Sequence, residues 1–409
     1  MCAQMSSEMN DAKKLVPLLA EVRSMQITVL PPDVNASIAH FSPDETGHGI
    51  RYGLAGIKSV GEAAACAIVA ERAHNGPYAG ITDFATRLAQ SGILNRRVLE
   101  NLVCSGAFDS FSARNPRLHR AMFFENVAAI LARANAERKS RDSGQMDFLS
   151  AMDGENKADD DMLEDAPRWT SSKMLQDELS LTNMYLTGHP LSRWNRLFAN
   201  TAVTTSSEIK GLAETLHDGE RRPLRMLGII SSARVMSSAS DVKGRKTARG
   251  WSIIAFSDTT GEMEGCAFGK CHERISVWIG TATGIPALFT GTLSRPPANA
   301  TDDKSGRVRF TLDDVIPLDG RQALPGTLSL ALSYEDNALV SKAVKLQTIL
   351  KQHPGHTPVC LELRYSNGSV VTISLPERIS VTSDLLETLE PIISERAHPR
   401  IVQNLRNIH

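Results

Sequence analysis

The chain has 409 residues, 42% of them hydrophobic, with a formal net charge of -1, so it is long enough for two to four domains and excluded as a polycation that acts through bulk charge. Six scattered cysteines (Cys2, Cys66, Cys104, Cys266, Cys271 and Cys360) exclude a disulfide framework and a CxxC zinc pattern. No apolar run approaches a membrane span and the N-terminus lacks a signal-peptide core, so a reduced, soluble, cytoplasmic protein with no membrane partner is expected.

Charge is unevenly distributed. Residues 41–139 hold 12 Lys/Arg against 9 Asp/Glu, 141–178 hold 4 against 11, and 221–321 hold 15 against 10. Two mildly basic regions therefore flank an acidic connector.

In chain order, Ser6 to Gln26 carries a helical stripe of Leu15, Val16, Leu18, Leu19 and Val22, blemished by Pro17. A short strand at Ile27–Leu30 stops at Pro31-Pro32, and the apolar surface up to this point is too small to stand alone. From Ile50 to Arg72 two helical patterns meet at Lys58-Ser59-Val60-Gly61, and the second carries Ala64, Ala65, Ile68 and Val69 on one face. Glycine at 61 permits a conformation that a side chain would resist, and the next helix begins with its amides turned outward, which makes an anion site. Apolar, Lys, small, Val, Gly and an Ala-rich helix is a helix-hairpin-helix order, in which turn amides hold a DNA phosphate without reading a base. An ordinary αα-hairpin accounts for the same residues.

A second helical pair follows, with Ile81–Leu88 and Leu94–Cys104 as its helices and Ser105–Asp109 as its closing turn. Arg96 and Arg97 stand near the start of the second helix, placed to face phosphate or simply solvent. Arg117 to Arg138 reads as a long amphipathic helix. The pattern then collapses, and Gln145-Met146-Asp147-Phe148-Leu149 stands alone in an acidic low-complexity run that continues through Asp165. An apolar trio in such a connector is more plausible as a docking peptide than as part of a core.

Trp169–Tyr185 is helical and ends at Gly188-His189-Pro190-Leu191. His189 has no carboxylate or nucleophile in pattern beside it and reads as a turn histidine. From Arg221 the period changes to two. Leu224–Ile230, Trp251–Ser257, Met263–Phe268, Ile285–Leu293 and Arg307–Leu312 are five strand candidates, with a helix over Cys271–Ile279 between the third and fourth, which fits an OB-fold barrel. Between the first two strands, a loop from Arg234 to Arg249 holds five bases, including Lys243, Arg245, Lys246 and Arg249, against one acid. Such a loop can track a phosphate backbone or be a solvated tip. Trp251 is the stacking candidate beside it, whereas Phe256 and Phe268 are expected in the core. Cys266, Cys271 and His272 are the nearest approach to a metal-ligand set, but their spacing is wrong and core positions at a strand end are expected. From Pro325 onward a small α/β unit follows, with strands at Thr327–Leu332, Val359–Tyr365 and Val370–Leu375 and helices at Ala338–Gln352 and Ser383–Ser394. Asn367-Gly368 marks its hairpin. Nothing in it speaks of catalysis.

Together Ile27–Asn35, Gly56–Gly61, Asn95–Glu100, Ser105–Asp109, Gln145–Leu149 and Gly188–Leu191 resemble the C-terminal part of the bacterial replicative DNA polymerase III alpha-subunit family, the family C polymerases. The resemblance covers essentially the whole chain. It implies a multidomain α+β chain: a remnant of polymerase fingers over 1–40, a helical tandem helix-hairpin-helix domain over 41–140, an acidic linker with a clamp-binding peptide over 141–168 and a helical connector over 169–220. An OB-fold β-barrel over 221–321 and a small C-terminal α/β interaction domain over 322–409 complete it.

By the resemblance, Gly56, Lys58, Ser59, Val60 and Gly61 hold double-stranded DNA, the barrel guides single-stranded DNA, and Gln145–Leu149 dock on the sliding clamp. The last domain contacts the clamp-loader tau subunit, and the other polymerase III holoenzyme subunits are further partners. Two departures are Ser59, where the family usually has glycine, and Leu149, where phenylalanine is common. The family's magnesium-holding aspartates lie in an upstream palm, so no catalytic residue, metal site or cofactor is expected in these residues, and Mg2+ is expected only for that palm. A DNA-holding portion of a polymerase is the first reading. A free-standing, non-enzymatic DNA- and clamp-binding protein is the alternative, and a hydrolase built around His189 finds no nucleophile.

Overall fold

A computed structural model describes residues 1–9, 11–142, 159–242, 245–295, 308–393 and 399–402. The chain divides into two compact units, Met1–Gly188 and His189–His409.

In the first unit, α1 (Cys2–Ser7) and α2 (Ala12–Ser24) lead to a small sheet of β1 (Thr28–Leu30), β2 (Ser42–Pro43) and β3 (Gly49–Arg51) in the order β1-β3-β2. A 3-10 turn at Leu54–Gly56 then precedes α3 (Gly61–Asn75), α4 (Ile81–Leu88), α5 (Arg96–Cys104), α6 (Asp109–Arg114), α7 (Arg120–Asp142) and α8 (Ser171–Thr182). Helical spacing decides what is buried: Ile81, Phe84, Ala85 and Leu88 on α4, and Val98, Leu99, Leu102 and Val103 on α5. The Phe84 ring on α4 meets Tyr78 and Phe108, which flank these helices, edge to face, with centroids 4.9 and 5.0 Å away. Each such buried side chain contributes about 1.5–3 kcal/mol.

Residues 1–40 share this core rather than bordering it, since Met5, Leu15, Leu19, Val22 and Val34 pack in the same cluster as the hairpin helices. Asn35 fastens the segment by exchanging two hydrogen bonds with the Tyr78 backbone at 2.9 and 2.8 Å. The connector expected over 141–168 also ends early, because residues from 159 onward pack on the helical unit. The Asp160 carboxylate, 3% exposed, accepts the amides of Ile81 and Thr82 at 3.0 Å each and so caps α4 from 78 residues away. Gly80 is required for this approach, since a Cβ there would lie 2.1 Å from the Asp160 carboxylate. Asn126 on α7 then exchanges hydrogen bonds with the Glu164 backbone at 2.9 and 3.0 Å.

The second unit opens with α9 (Ser192–Leu197) and α10 (Ser206–Thr215). Strands β4 (Arg221–Val242), β5 (Arg245–Ser257) and β6 (Glu262–Phe268), helix α11 (Gly269–Ser276), and strands β7 (Pro286–Ser294) and β8 (Arg309–Pro317) follow. The strands close into a barrel in the order β4-β5-β6-β8-β7, with α11 between the third and fourth in sequence, which is OB-like. Phe256 and Phe289 stack at 3.8 Å inside it. The basic stretch is a long antiparallel ribbon rather than a loop, because β4 and β5 stay paired out to Val242 and Arg245.

The chain ends in a sheet of β9 (Thr327–Ser333), β10 (Pro354–Arg364), β11 (Val370–Ile379) and β12 (Arg400–Val402), with α12 (Leu339–Gln352) and α13 (Ser383–Leu389). Its order is β11-β10-β9-β12, and α12 makes the crossover that the parallel β9–β10 pair needs. Buried Glu362 accepts from Ser329 and from Arg400 at 2.7 Å each, tying β9, β10 and β12 together.

Candidate nucleic-acid interface

The first hairpin turns at Lys58–Gly61, where Ser59 and Gly61 both take the left-handed conformation, at φ +69° and +72°. Val60 is buried and pins the turn, while Lys58, Ser59 and Gly61 are exposed. Helix α3 starts here without a side-chain cap, and nothing lies within 4 Å of the point a Gly61 Cβ would occupy. The first amides of α3 have no intrahelical acceptors, and the space a Gly61 side chain would take is open, an arrangement that suits a phosphate oxygen. Gly56 lies behind the turn, where a Cβ would lie 3.0 Å from the Tyr52 ring. Glu62 is the acidic residue in the first turn of α3. It stands 3.5 Å from His40.

Lys58 is held from behind by α8. Its amide donates to the Leu181 carbonyl at 3.0 Å, its ammonium to the Ser180 carbonyl at 3.1 Å, and its own carbonyl accepts from Asn101 on α5 at 2.6 Å. Two further N–H groups of the ammonium are left for an outside acceptor. The Tyr52 hydroxyl also donates to α8, at the Thr182 carbonyl, and burial pushes its pKa up. Sequence reasoning missed Tyr52, Asn101 and the whole of α8 as parts of this corner.

The second hairpin runs from α4 through Gly92, at φ +66°, to α5, whose N-cap Asn95 accepts the Val98 amide at 3.0 Å. Arg96 and Arg97 sit in the first turn of α5, and both are exposed. A helix dipole disfavours cations there, so helix stability does not account for them. Arg96 pairs with Glu100 at 2.7 Å, whereas Arg97 has no acidic partner among the described residues. Asn101 brings the two hairpins together through the Lys58 carbonyl.

A buried ion cluster holds α8 against them. Arg120, 4% exposed, meets Asp109 at 2.5 Å and fully buried Glu178 at 2.9 Å. Burial alone would lower the Arg120 pKa, but the two carboxylates raise it well above the usual guanidinium value. Glu178 also accepts the amides of Leu186 and Thr187 at 2.9 and 3.0 Å.

On the barrel, Lys243 lies outside the described residues, and Arg245, Lys246 and Arg249 fall on β5. Positions 245 and 249 run in phase with Trp251 along the strand, and 246 in the opposite phase. Trp251 is half-buried and pairs with Met236 and Phe268. Phe268 is 52% exposed, contrary to the core position expected for it, because it falls on the outward phase of β6 while Phe256 points inward on β5. In the Cys266, Cys271 and His272 group, His272 shares a 2.9 Å hydrogen bond with buried Ser252. Among the described residues no group of three or more His, Cys, Asp or Glu is placed to hold a metal ion. His189 accepts the Leu191 amide at 3.2 Å, a turn role. The docking candidates Gln145, Met146, Asp147, Phe148 and Leu149 all lie outside the described residues. No helix among the described residues is long and apolar enough to cross a membrane.

A helix-hairpin-helix module and an OB-like closed barrel on one chain define a class of multidomain protein built around a DNA-binding motif. A family model described as the helix-hairpin-helix motif matches residues 26–118. Over nearly its whole length the chain is homologous to proteins named DNA polymerase III subunit alpha, aligning with a C-terminal part of them. The relative from Haemophilus influenzae is 28% identical over 400 residues, 97% of this chain and 32% of that one. Those from Thermus aquaticus and Escherichia coli are 28% and 26% identical over 89% and 96% of this chain. The chain thus spans about a third of the length of the curated relatives it matches. A solved Replication Protein A heterotrimer bound to single-stranded DNA aligns with 36% of this chain and 39% of its own at 12% identity and a TM-score of 0.22, a likeness too low to argue from.

Proposed function

We propose that this chain is the DNA-holding and clamp-tethering portion of a DNA polymerase III alpha subunit, acting in bacterial chromosome replication. The observation that carries the reading is the uncapped start of α3 beside exposed Ser59 and Gly61, with nothing within 4 Å of the missing Gly61 side chain. In this reading the turn amides take a phosphate of double-stranded DNA, with Arg96 and Arg97 supporting the same backbone. The ribbon carrying Arg245, Lys246 and Arg249, with Trp251 beside it, follows a single strand of template, and Lys243 is assigned to the same strand. Gln145–Leu149 dock on the sliding clamp, Phe148 and Leu149 filling its apolar pocket. The C-terminal domain offers a groove of about 520 Å³ between α12 and the sheet, lined by Val340, Val344, Leu361, Leu363 and Leu375, as a surface for the clamp-loader tau subunit or another holoenzyme protein. A cytoplasmic setting follows from such partners.

The test is binding of the purified chain to a labelled primer-template duplex across a salt series. A steep loss of affinity with salt is expected, because phosphate contacts release counterions. Gly61→Val should abolish most duplex binding and leave single-strand binding intact, and Phe148→Ala should end co-elution with the clamp and leave DNA binding unchanged. A wild-type chain that ignores duplex at low salt sinks the reading.

A further inference from the structure

Helix α8 ends on the first hairpin turn. Its last four carbonyls have no amides ahead of them in the helix, and of these the Leu179 carbonyl accepts from Asn183 at 3.0 Å. The other three all accept from the hairpin corner: Ser180 from the Lys58 ammonium at 3.1 Å, Leu181 from the Lys58 amide at 3.0 Å, and Thr182 from the Tyr52 hydroxyl at 3.0 Å. The negative end of the helix dipole also suits an ammonium there. Asn183 then takes the left-handed conformation, at φ +60°, and turns the chain away.

The contact works in both directions: the turn caps the helix, and the helix fixes the turn. A free Lys58 side chain would lose rotamer freedom each time it met a phosphate. Held at Ser180, it has given up that freedom beforehand and still has two N–H groups to donate. Tyr52 and Thr182 are both fully buried, so neither touches a ligand of the turn. The Tyr52 ring meets Phe41 edge to face at 4.7 Å and lies close behind Gly56, which sets its hydroxyl in one place. That hydroxyl also stands 3.2 Å from the Gly56 carbonyl, so it joins the end of α8 to the approach of the turn. One helical turn earlier, Glu178 fastens α8 through Arg120 at 2.9 Å.

We propose that Tyr52 and the end of α8 position the phosphate site: buried Tyr52 holds the last turn of α8, and the carbonyls of that turn hold Lys58 where a backbone phosphate of duplex DNA meets it. The proposal rests on the reading of the turn as a phosphate site and goes beyond it. It makes duplex affinity depend on Tyr52, a residue that never touches DNA, and on a helix that follows the acidic linker. Tyr52 is thus a positioning residue that acts through Lys58.

The experiment measures duplex affinity of the full chain by fluorescence anisotropy for wild type, Tyr52→Phe, Lys58→Met and the double variant, at a temperature where circular dichroism shows all four folded. Phenylalanine keeps the ring and its contact with Phe41, so no cavity opens. Tyr52→Phe should weaken duplex binding by about two- to tenfold, the worth of one side chain ordered in advance. It should also speed exchange of the Lys58 amide, which is bonded to α8. Because Tyr52 acts through Lys58, the double variant should lose less than the product of the two single losses. A role confined to stability would leave the affinities of the folded proteins unchanged. Wild-type affinity in Tyr52→Phe or in Lys58→Met, unchanged exchange at Lys58, or losses that multiply in full each overturn the positioning role and leave the turn as no more than a cap for α8. A wild type that ignores duplex at low salt overturns the phosphate reading and the positioning with it.

Discussion

Ser59 holds a conformation that its own side chain opposes. A non-glycine residue in the left-handed region carries about 1 kcal/mol of strain, and at φ +69° Ser59 bears it where the turn is most exposed. Ser59→Gly should therefore raise stability by about 1 kcal/mol in a urea melt and tighten duplex binding, since a relaxed turn presents its amides without a hydroxymethyl group beside them. Gly61→Ala should do the opposite although the space is open, because φ +72° and not crowding selects glycine there. Loss of stability in Ser59→Gly would show that the serine hydroxyl supports the turn. Glu362 offers a test by pH. Burial pushes its carboxyl up, but Arg400, Ser329 and Arg364 push it down further, so it lies below its ordinary 4.5. A depressed carboxyl stabilises the fold above its unfolded value and loses that contribution as pH falls through the folded one. Stability of the C-terminal domain should accordingly fall as pH drops below about 4.5, and Glu362→Gln should be less stable at neutral pH but flatter across that window. Parallel acid titrations of the two proteins would contradict the assignment.

Two elements that look like connector in the sequence are parts of the hairpin module. The 3-10 turn at Asp159–Met162 brings Asp160 onto the start of α4, and α8 brings Glu178 to Arg120 and its carbonyls to Lys58 and Tyr52. Asp160→Ala should cost about 1–2 kcal/mol and speed amide exchange at Ile81 and Thr82, with Asp160→Asn close to wild type, since asparagine also caps well. Unchanged exchange in the alanine variant would refute the capping role. Glu178→Ala leaves Arg120 charged and buried without its second partner, so a loss of about 3–5 kcal/mol is expected in a denaturant melt. These partnerships were illegible in the sequence for a physical reason. Helices α4 and α5 announce themselves by spacing, the turn by Gly61, and the barrel by its period of two, all of which are local. Asp160 stands in an acidic run that reads as solvated, and its acceptor role exists only because Gly80, 80 positions earlier, has no side chain. The ribbon was misread as a loop because serines and charges weaken the alternation that marks a strand, although β4 and β5 pair through it.

At the scale of the whole molecule, the question is what a chain a third as long as its relatives can do alone. Two-metal nucleotidyl transfer needs paired carboxylates free to hold cations on a rigid element. Among the adjacent aspartates of this chain, those whose side chains are described have other partners. Asp160 caps α4, Asp314 is paired with Arg274 at 2.6 Å, and Asp313 accepts from Thr292 at 3.4 Å. What the described residues present instead is the uncapped start of α3 in one unit and an OB-like closed barrel in the other. These features fit the proposed DNA-holding role. The purified 409-residue chain, given primer-template, nucleotides and magnesium, should bind the DNA and extend no primer. Added to a polymerase fragment that carries a palm but lacks these domains, it should lengthen the products made per binding event if the two associate. Primer extension by the chain alone, abolished by chelating magnesium, would mean that a carboxylate pair elsewhere in this sequence holds the metals, and the reading of the chain as a DNA-holding portion would give way to that of an enzyme.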